Sequence, residues 1–551
     1  MVKTDANNLS EKTAPNEEKI ASLKSQSTWL LFAKIFGFAC ASMLPLLIIR
    51  YFDRAQVGLY RQSFQVVSNA AAILSFGFAM SAYYYLARER ENRPAAMANI
   101  LLFHFFTGGT VCFLLLLFPQ ILGWIFNSAE MTALAPLVGF VVWIWIFSSI
   151  LETVAVANRE PKTATAFIIF AQLGKAVLMA LGVIVFQTVE ASLYAAVIQG
   201  SLQTIVLLVY LNRRFPRFWL AFNFKFFRAH FAYAVPFGLA GILWILMSDI
   251  HNYFVGHKFS DADYAIYAYG CFEVPLIASL WESVTSVLIP RMTELQSRND
   301  RREMIRLTTR AMQKLAFVIF PVYAFLFVTA ETFITTLFTA DYLASVPIYR
   351  INLTLLLFLV LVTDPIVRSY TELGRFMLKL RIFLFAGMLA ALYFGINHFS
   401  MSGMVGIVVV VTLVEKIISE TIVIKKLNFS RQDLYLLKDV GKTAVASILA
   451  GIIAFAFYFA TKETIFSAAQ NLLHSIVPQL KNGLVNFAAG GTTLLVTFLV
   501  FAPIYLFIMN LWNAIDEEDK NFFKNIITHL FAKIGGFFKS NKSAERAALS
   551  D

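Results

Sequence analysis

Charge and cysteine are what this 551-residue sequence has least of: charged residues make up 15% of it and there are three cysteines. Cys40, Cys112 and Cys271 all lie inside apolar stretches, without CxxC spacing, which excludes a disulfide framework and a thiolate metal site. No HExxH occurs, and Gly441-Lys442-Thr443 lacks the upstream glycine of a phosphate-binding loop. Neither a catalytic metal nor ATP hydrolysis therefore has a motif, and the chain reads as a non-enzyme without a cofactor. Residues 1–28 are polar and mixed in charge, unlike a cleaved signal peptide, so the first apolar stretch is expected to direct insertion itself.

What is abundant is apolar. Hydrophobic residues reach 58% and the mean hydropathy is +0.68, above the ~45–50% apolar share of soluble domains. Apolar stretches near the ~20 residues needed to cross a bilayer recur along the whole chain. They fall at 29–49, 63–86, 99–126, 132–157, 164–186, 191–211, 231–253, 264–289, 312–337, 346–367, 379–396, 402–424, 441–460 and 484–511. The expected fold class is an all-α, polytopic membrane protein with about 14 transmembrane helices.

An even number of spans puts both ends on one side. Placing the N-terminus in the cytoplasm assigns most of the 46 Lys and Arg to cytoplasmic segments, as basic loops resist translocation. The net charge of +12 is then a matter of topology, spread over many loops, and nucleic acid is not an expected partner. External connections such as 127–131, 187–190 and 398–401 are short, and the longest is expected at 461–483. The work must happen within the membrane. After 511, Phe522, Phe523, Ile526, Ile527, Leu530, Phe531 and Ile534 recur at helical spacing beside Lys524 and Lys533. That pattern suits an amphipathic helix on anionic headgroups or one docked on cytoplasmic loops.

The segment Phe52-Asp53-Arg54-Ala55-Gln56-Val57-Gly58-Leu59-Tyr60 has a counterpart in Phe259-Ser260-Asp261-Ala262-Asp263-Tyr264-Ala265-Ile266-Tyr267. The separation equals six spans with their loops, which suggests two pseudo-symmetric six-helix lobes of like orientation. The expected division is a cytoplasmic tail at 1–28, an N-lobe at 29–211, a linker at 212–230, a C-lobe at 231–425, an additional helix pair at 426–511 and a cytoplasmic tail at 512–551. Such lobes can rock about a central site.

Several segments carry a family likeness: Leu46-Leu47-Ile48-Ile49-Arg50-Tyr51-Phe52 with Val57-Gly58-Leu59-Tyr60 behind it, Tyr233-Ala234-Val235-Pro236, Asp249 late in the seventh span, and Pro290-Arg291 at the end of the eighth. Asn158-Arg159-Glu160-Pro161-Lys162 and Thr371-Glu372-Leu373-Gly374-Arg375 add short cytoplasmic turns. Over about residues 25 to 440 the chain resembles the Wzx-type polysaccharide-precursor flippases of the MATE-like (MOP) transporter superfamily, related to lipid II flippases. The sequence departs from the pattern where Ala265 replaces the glycine of the second repeat. The resemblance implies a flippase of the bacterial inner membrane that carries a polyprenyl-pyrophosphate-linked oligosaccharide outward by alternating access. Membrane lipids and other polysaccharide-assembly proteins are the further partners it implies. A MATE-like, cation-coupled exporter of small amphipathic molecules is the alternative, and a membrane glycan polymerase or ligase a more distant one.

An ionisable group in hydrocarbon costs at least ~2.5–3.5 kcal/mol on insertion scales, so each must face water, find a partner or reach the interface. Lys34 and Lys175 have no opposite charge one turn away and are candidates for holding the pyrophosphate, the alternatives being snorkelling for Lys34 and a buried ion pair for Lys175. Arg50, Arg54 and Arg61 flank the first external turn, where they draw the anionic head outward, hold lipid phosphates or pair with Asp53. Asp249, Glu273 and Glu152 are candidates for binding a coupling proton or sodium ion, with Asp249 foremost; an ion pair with Lys175 or Lys34 would equally account for Asp249. His251 reads as lining a cavity or the interface. Asp364 with Arg368, and Lys416 with Glu420, are four apart and read as pairs along a helix face.

Overall fold

The computed structural model describes residues 36–514, apart from 38, 41, 42, 79–91, 159 and 480. The two tails, Lys34 and the run from Phe522 to Ile534 therefore lie outside the described residues. Helices make up nearly everything described. The principal ones are α1 (Arg54–Leu74), α2 (Arg93–Leu117), α3 (Ala129–Ser148), α4 (Pro161–Leu181), α5 (Val189–Arg214), α6 (Phe224–Lys258) and α7 (Asp261–Gly270). They continue with α8 (Pro275–Ser297), α9 (Arg301–Val328), α10 (Thr371–Gly395), α11 (Met401–Leu427), α12 (Lys438–Ile476) and α13 (Asn482–Leu511).

Among the described residues nine helices are long and apolar enough to cross a membrane, or ten if the broken pair α7 and α8 is one span. This is a multi-pass membrane protein; the expected count of fourteen is not confirmed, and much of the expected first span and part of the second lie outside the described residues. The expected tenth span, 346–367, is cut into Val346–Leu353, Leu355–Phe358 and Asp364–Ser369, with Pro365 setting the start of the last piece. Of the expected second span, 63–86, residues 79–86 lie outside the described residues, and α1 ends at Leu74. There Phe76 and Gly77 turn into the left-handed region (φ 45° and 77°), a conformation glycine adopts without strain. The longest expected external loop, 461–483, is instead mostly helix: α12 runs 39 residues, to Ile476, about 58 Å at 1.5 Å per residue.

Packing divides the chain into two compact units. One is drawn from Met1–Glu273, Ile334–Asn352 and Glu372–Ile417, the other from Val274–Phe333, Leu353–Thr371 and Ile418–Asp551. In the second unit α12 lays Ala446, Ala450 and Ala454, all fully buried, against Phe501, Tyr505 and Met509 of α13. Small residues one turn apart let helix backbones approach where no hydrophobic effect drives association. The Tyr505 hydroxyl donates to the Phe317 carbonyl of α9 at 2.9 Å, which fastens the added pair to a core helix. Lys462 of α12 meets Glu331 at 3.1 Å, and the hydroxyls of Thr332 and Tyr458 lie 2.7 Å apart.

In the first unit the two halves of the internal repeat pack on one another as α1 and α7. Their starts are built alike. Asp53 caps α1, accepting from the Gln56 amide at 2.8 Å and closing a capping box; Ser260, at the equivalent repeat position, caps α7 by accepting from the Asp263 amide at 3.2 Å. Four residues into α1, Gly58 lies so near α7 that a Cβ there would come within 1.9 Å of the Asp261 carbonyl oxygen. Its repeat partner Ala265 is fully buried in the same region. The glycine is needed on one helix only, the one whose backbone meets a carbonyl.

Candidate functional site

A polar stripe runs down α1: Arg61, Gln65 and Asn69, each one turn from the next. Opposite it on α6 stand Asp249 and Tyr253, again one turn apart. The side chains of Asn69 and Gln65 adjoin the Asp249 carboxylate, and Arg61 is near enough for its charge to act on the same group. Asn69 also donates to the Tyr253 hydroxyl at 3.2 Å. The third wall is α7, where the Arg61 guanidinium lies 5.3 Å from the centre of the Tyr269 ring. The Tyr269 hydroxyl is buried without a hydrogen-bond partner among the described residues. Glu273, exposed in the break that follows α7, is close enough for its charge to interact with that of Asp249. Nearer the capped helix starts, Gln62 donates to Asp261 at 3.0 Å.

The cluster solves the problem each charge poses in an apolar medium. Polar side chains adjoin Asp249 and the charge of Arg61 reaches it, while the Arg61 guanidinium has an aromatic face beside it, so neither charge stands in a purely apolar setting. The cation near Asp249 is thus Arg61 and not Lys175. By the 1.5 Å rise, Arg61 lies about 10 Å from the start of α1 and Asp249 about 14 Å from the end of α6, well inside both helices.

The other expected site residues fall elsewhere. Lys175 of α4 is half-buried with its ammonium 4.3 Å from the Trp145 ring centre. Among the described residues it has an indole where a buried ion pair was one expectation; such a contact contributes up to ~2 kcal/mol when desolvated. Trp145 is itself fixed by a 3.1 Å bond from its indole nitrogen to the Ala196 carbonyl. Arg50 donates to the Leu46 carbonyl one turn back. Arg54 is exposed beside Tyr342. Of the three arginines of the first turn, Arg61 is the one whose charge reaches Asp249. Asp53 serves as a helix cap. Glu152 sits in the first turn of the short helix Ile150–Ala157, with no contact to the cluster among the described residues. His251 is buried, with its ring nitrogen 2.6 Å from the Tyr267 hydroxyl. Asp364 and Arg368 do pair, at 2.7 Å.

Sequence reading missed Gln65, Asn69 and Tyr253. The one-turn spacing from Arg61 and Asp249 was the available signal. It also missed the ion pair of Arg381 and Glu415 at 2.9 Å, whose partners lie on different helices, α10 and α11.

Comparison with known proteins adds the following. A family model described as "Polysaccharide biosynthesis protein" matches residues 72–347. A comparison with curated proteins finds no match. Among solved structures, the lipid II flippase MurJ in an inward closed conformation aligns with TM-score 0.60 at 14% identity, over 88% of this chain and 98% of that one. An inward-facing multidrug resistance MATE transporter of the MOP superfamily gives 0.57 at 14% identity, over 71% and 94%. A MOP superfamily transporter from Pyrococcus furiosus, described as having a binding pocket of reverse polarity, gives 0.53 at 16%, over 74% and 96%. At these identities the likeness is one of fold, and the folds shared are those of transporters and flippases.

Proposed function

Because this chain belongs to the polysaccharide biosynthesis protein family and has the fold of MOP-superfamily transporters, we propose that it is a flippase for a polyprenyl-pyrophosphate-linked oligosaccharide. It carries this lipid from the cytoplasmic to the external leaflet of the bacterial inner membrane, with both termini in the cytoplasm. The observation that supports the reading best is Arg61, a cation well inside α1 that rests by the Tyr269 ring with the Asp249 carboxylate within reach of its charge. A pyrophosphate offers more negative charge than one carboxylate and accepts the guanidinium fork in bidentate fashion. It therefore displaces Asp249 from Arg61, and the freed carboxylate takes up a proton or a sodium ion. The lobes at 29–211 and 231–425 rock between their two states, with the close seam of α1 and α7 as the external closure. Lys34 and Lys175 assist the pyrophosphate, and Glu273 and Glu152 assist the ion.

The test is glycan export in cells carrying Arg61→Ala or Arg61→Lys at matched membrane abundance. Arg61→Ala should lower export at least about tenfold, the cost of a ~1.4 kcal/mol contact, and Arg61→Lys should keep part of it. Normal export in Arg61→Ala counts against the reading.

One observation favours the second reading, a MATE-like exporter of amphipathic cations: Tyr253, Tyr264 and Glu273 all lie within reach of the Asp249 charge, an acidic and aromatic grouping that suits a cation. Arg61 at its centre opposes it. Raised tolerance to cationic dyes on expression, abolished by Asp249→Asn, would favour this alternative.

A further inference from the structure

A second charged group lies deep in the first unit, away from Asp249. Arg381 of α10 pairs through Nε with Glu415 of α11 at 2.9 Å, and its guanidinium carbon is 5.9 Å from the ring centre of Trp244 on α6. Glu415 is buried, while Trp244 is 58% exposed. The two terminal guanidinium nitrogens of Arg381 have no protein partner among the described residues. Beside Trp244 on the same helix face stand Ala240 and Gly241, both exposed, and a Cβ at Gly241 would meet nothing within 4 Å. An indole face, an unused guanidinium fork and open space thus adjoin one another. An ion pair this far from the helix ends faces water or protein and not lipid, and the exposed indole of Trp244 adjoins it.

The first repeat holds a related arrangement. Pairing residue 52 with 259 brings 175 to 382, one position from Arg381, and Lys175 likewise rests over an indole, that of Trp145. Only the second copy has a carboxylate to orient the cation and leave its fork free.

We infer that Trp244, Arg381 and Glu415 form a saccharide-ring subsite, in which the C–H face of a pyranose stacks on the Trp244 indole and its hydroxyls accept from the Arg381 fork. Glu415 is a positioning residue that holds the guanidinium. An indole supplies broad apolar contact and a planar fork supplies paired donors, the combination a sugar ring with one apolar face and polar edges requires. The subsite rests on the flippase reading and adds to it the recognition of the sugar, distinct from that of the pyrophosphate.

The test measures equilibrium binding to the purified full-length protein in lipid nanodiscs. The probes are polyprenyl pyrophosphate alone and the same carrier bearing one glucose, galactose, N-acetylglucosamine or glucuronic acid. At least one glycosylated carrier should bind about tenfold more tightly than the bare one, a difference of ~1.4 kcal/mol. Trp244→Ala and Arg381→Gln should bring that ratio close to one while leaving affinity for the bare carrier unchanged, and Trp244→Phe should keep part of it. Unchanged affinity for the bare carrier also reports that each variant is folded. A wild-type protein that binds the bare carrier with no preference for any sugar, or a preference that survives both variants, overturns the subsite alone. A wild-type protein that binds none of the carriers overturns the flippase reading, and the subsite with it.

Discussion

At the scale of single residues, the decisive fact is which charges meet. Asp364 and Arg368 were legible in the sequence because their partnership is local, one turn along a helix. The ion pair of Arg381 with Glu415 and the approach of Arg61 to Asp249 were not, because each is made between helices and no spacing rule links its members. What could be read was the cost of each charge in an apolar stretch, which marked Asp249 and Arg61 as needing an explanation without saying that they explain each other. If Asp249 carries the coupling ion, Asp249→Asn should make glycan export in membrane vesicles largely independent of an imposed proton or sodium gradient. Unchanged gradient dependence would remove Asp249 from the coupling step. Gly58 offers a second test, since a side chain there must enter space held by the Asp261 carbonyl. Gly58→Val should cost about 1–3 kcal/mol by overpacking, read as a lower unfolding temperature of the purified protein, and Ala265→Gly should cost much less.

At the scale of helices, hydropathy located the spans well where the backbone stays regular and failed where it does not. The stretch 346–367 is apolar enough to cross, but its helix is broken at Thr354 and again over 359–363, and hydropathy does not register such breaks. The opposite error occurred at 461–476, where polar residues suggested a loop. Glu463, Ala468, Ala469, Gln470, Leu472 and Leu473 are good helix formers, so α12 runs on past the apolar stretch. The alanine seam of α12 was present in the sequence at one-turn spacing, yet its partner on α13 was not deducible. Ala450→Leu should therefore part α12 from α13 and lower the thermal stability of the protein in detergent by about 1–3 kcal/mol, while Ala450→Ser should be nearly neutral. Equal effects of the two would mean that the seam is not closely packed.

At the scale of the whole molecule, the expected duplication rests on three identities in nine residues, whose two segments both begin a helix with a side-chain cap. Asp53 and Ser260 start their helices at the same repeat position with different side chains, because both residue types can accept from an N3 amide. The most direct measurement is the leaflet distribution of the lipid-linked oligosaccharide in cells depleted of this protein. Our account expects the intermediate to build up in the cytoplasmic leaflet, inaccessible to an externally added glycosidase, and to be cleared by wild-type protein but not by Arg61→Ala. Intermediates that reach the external leaflet at the normal rate in depleted cells would contradict it.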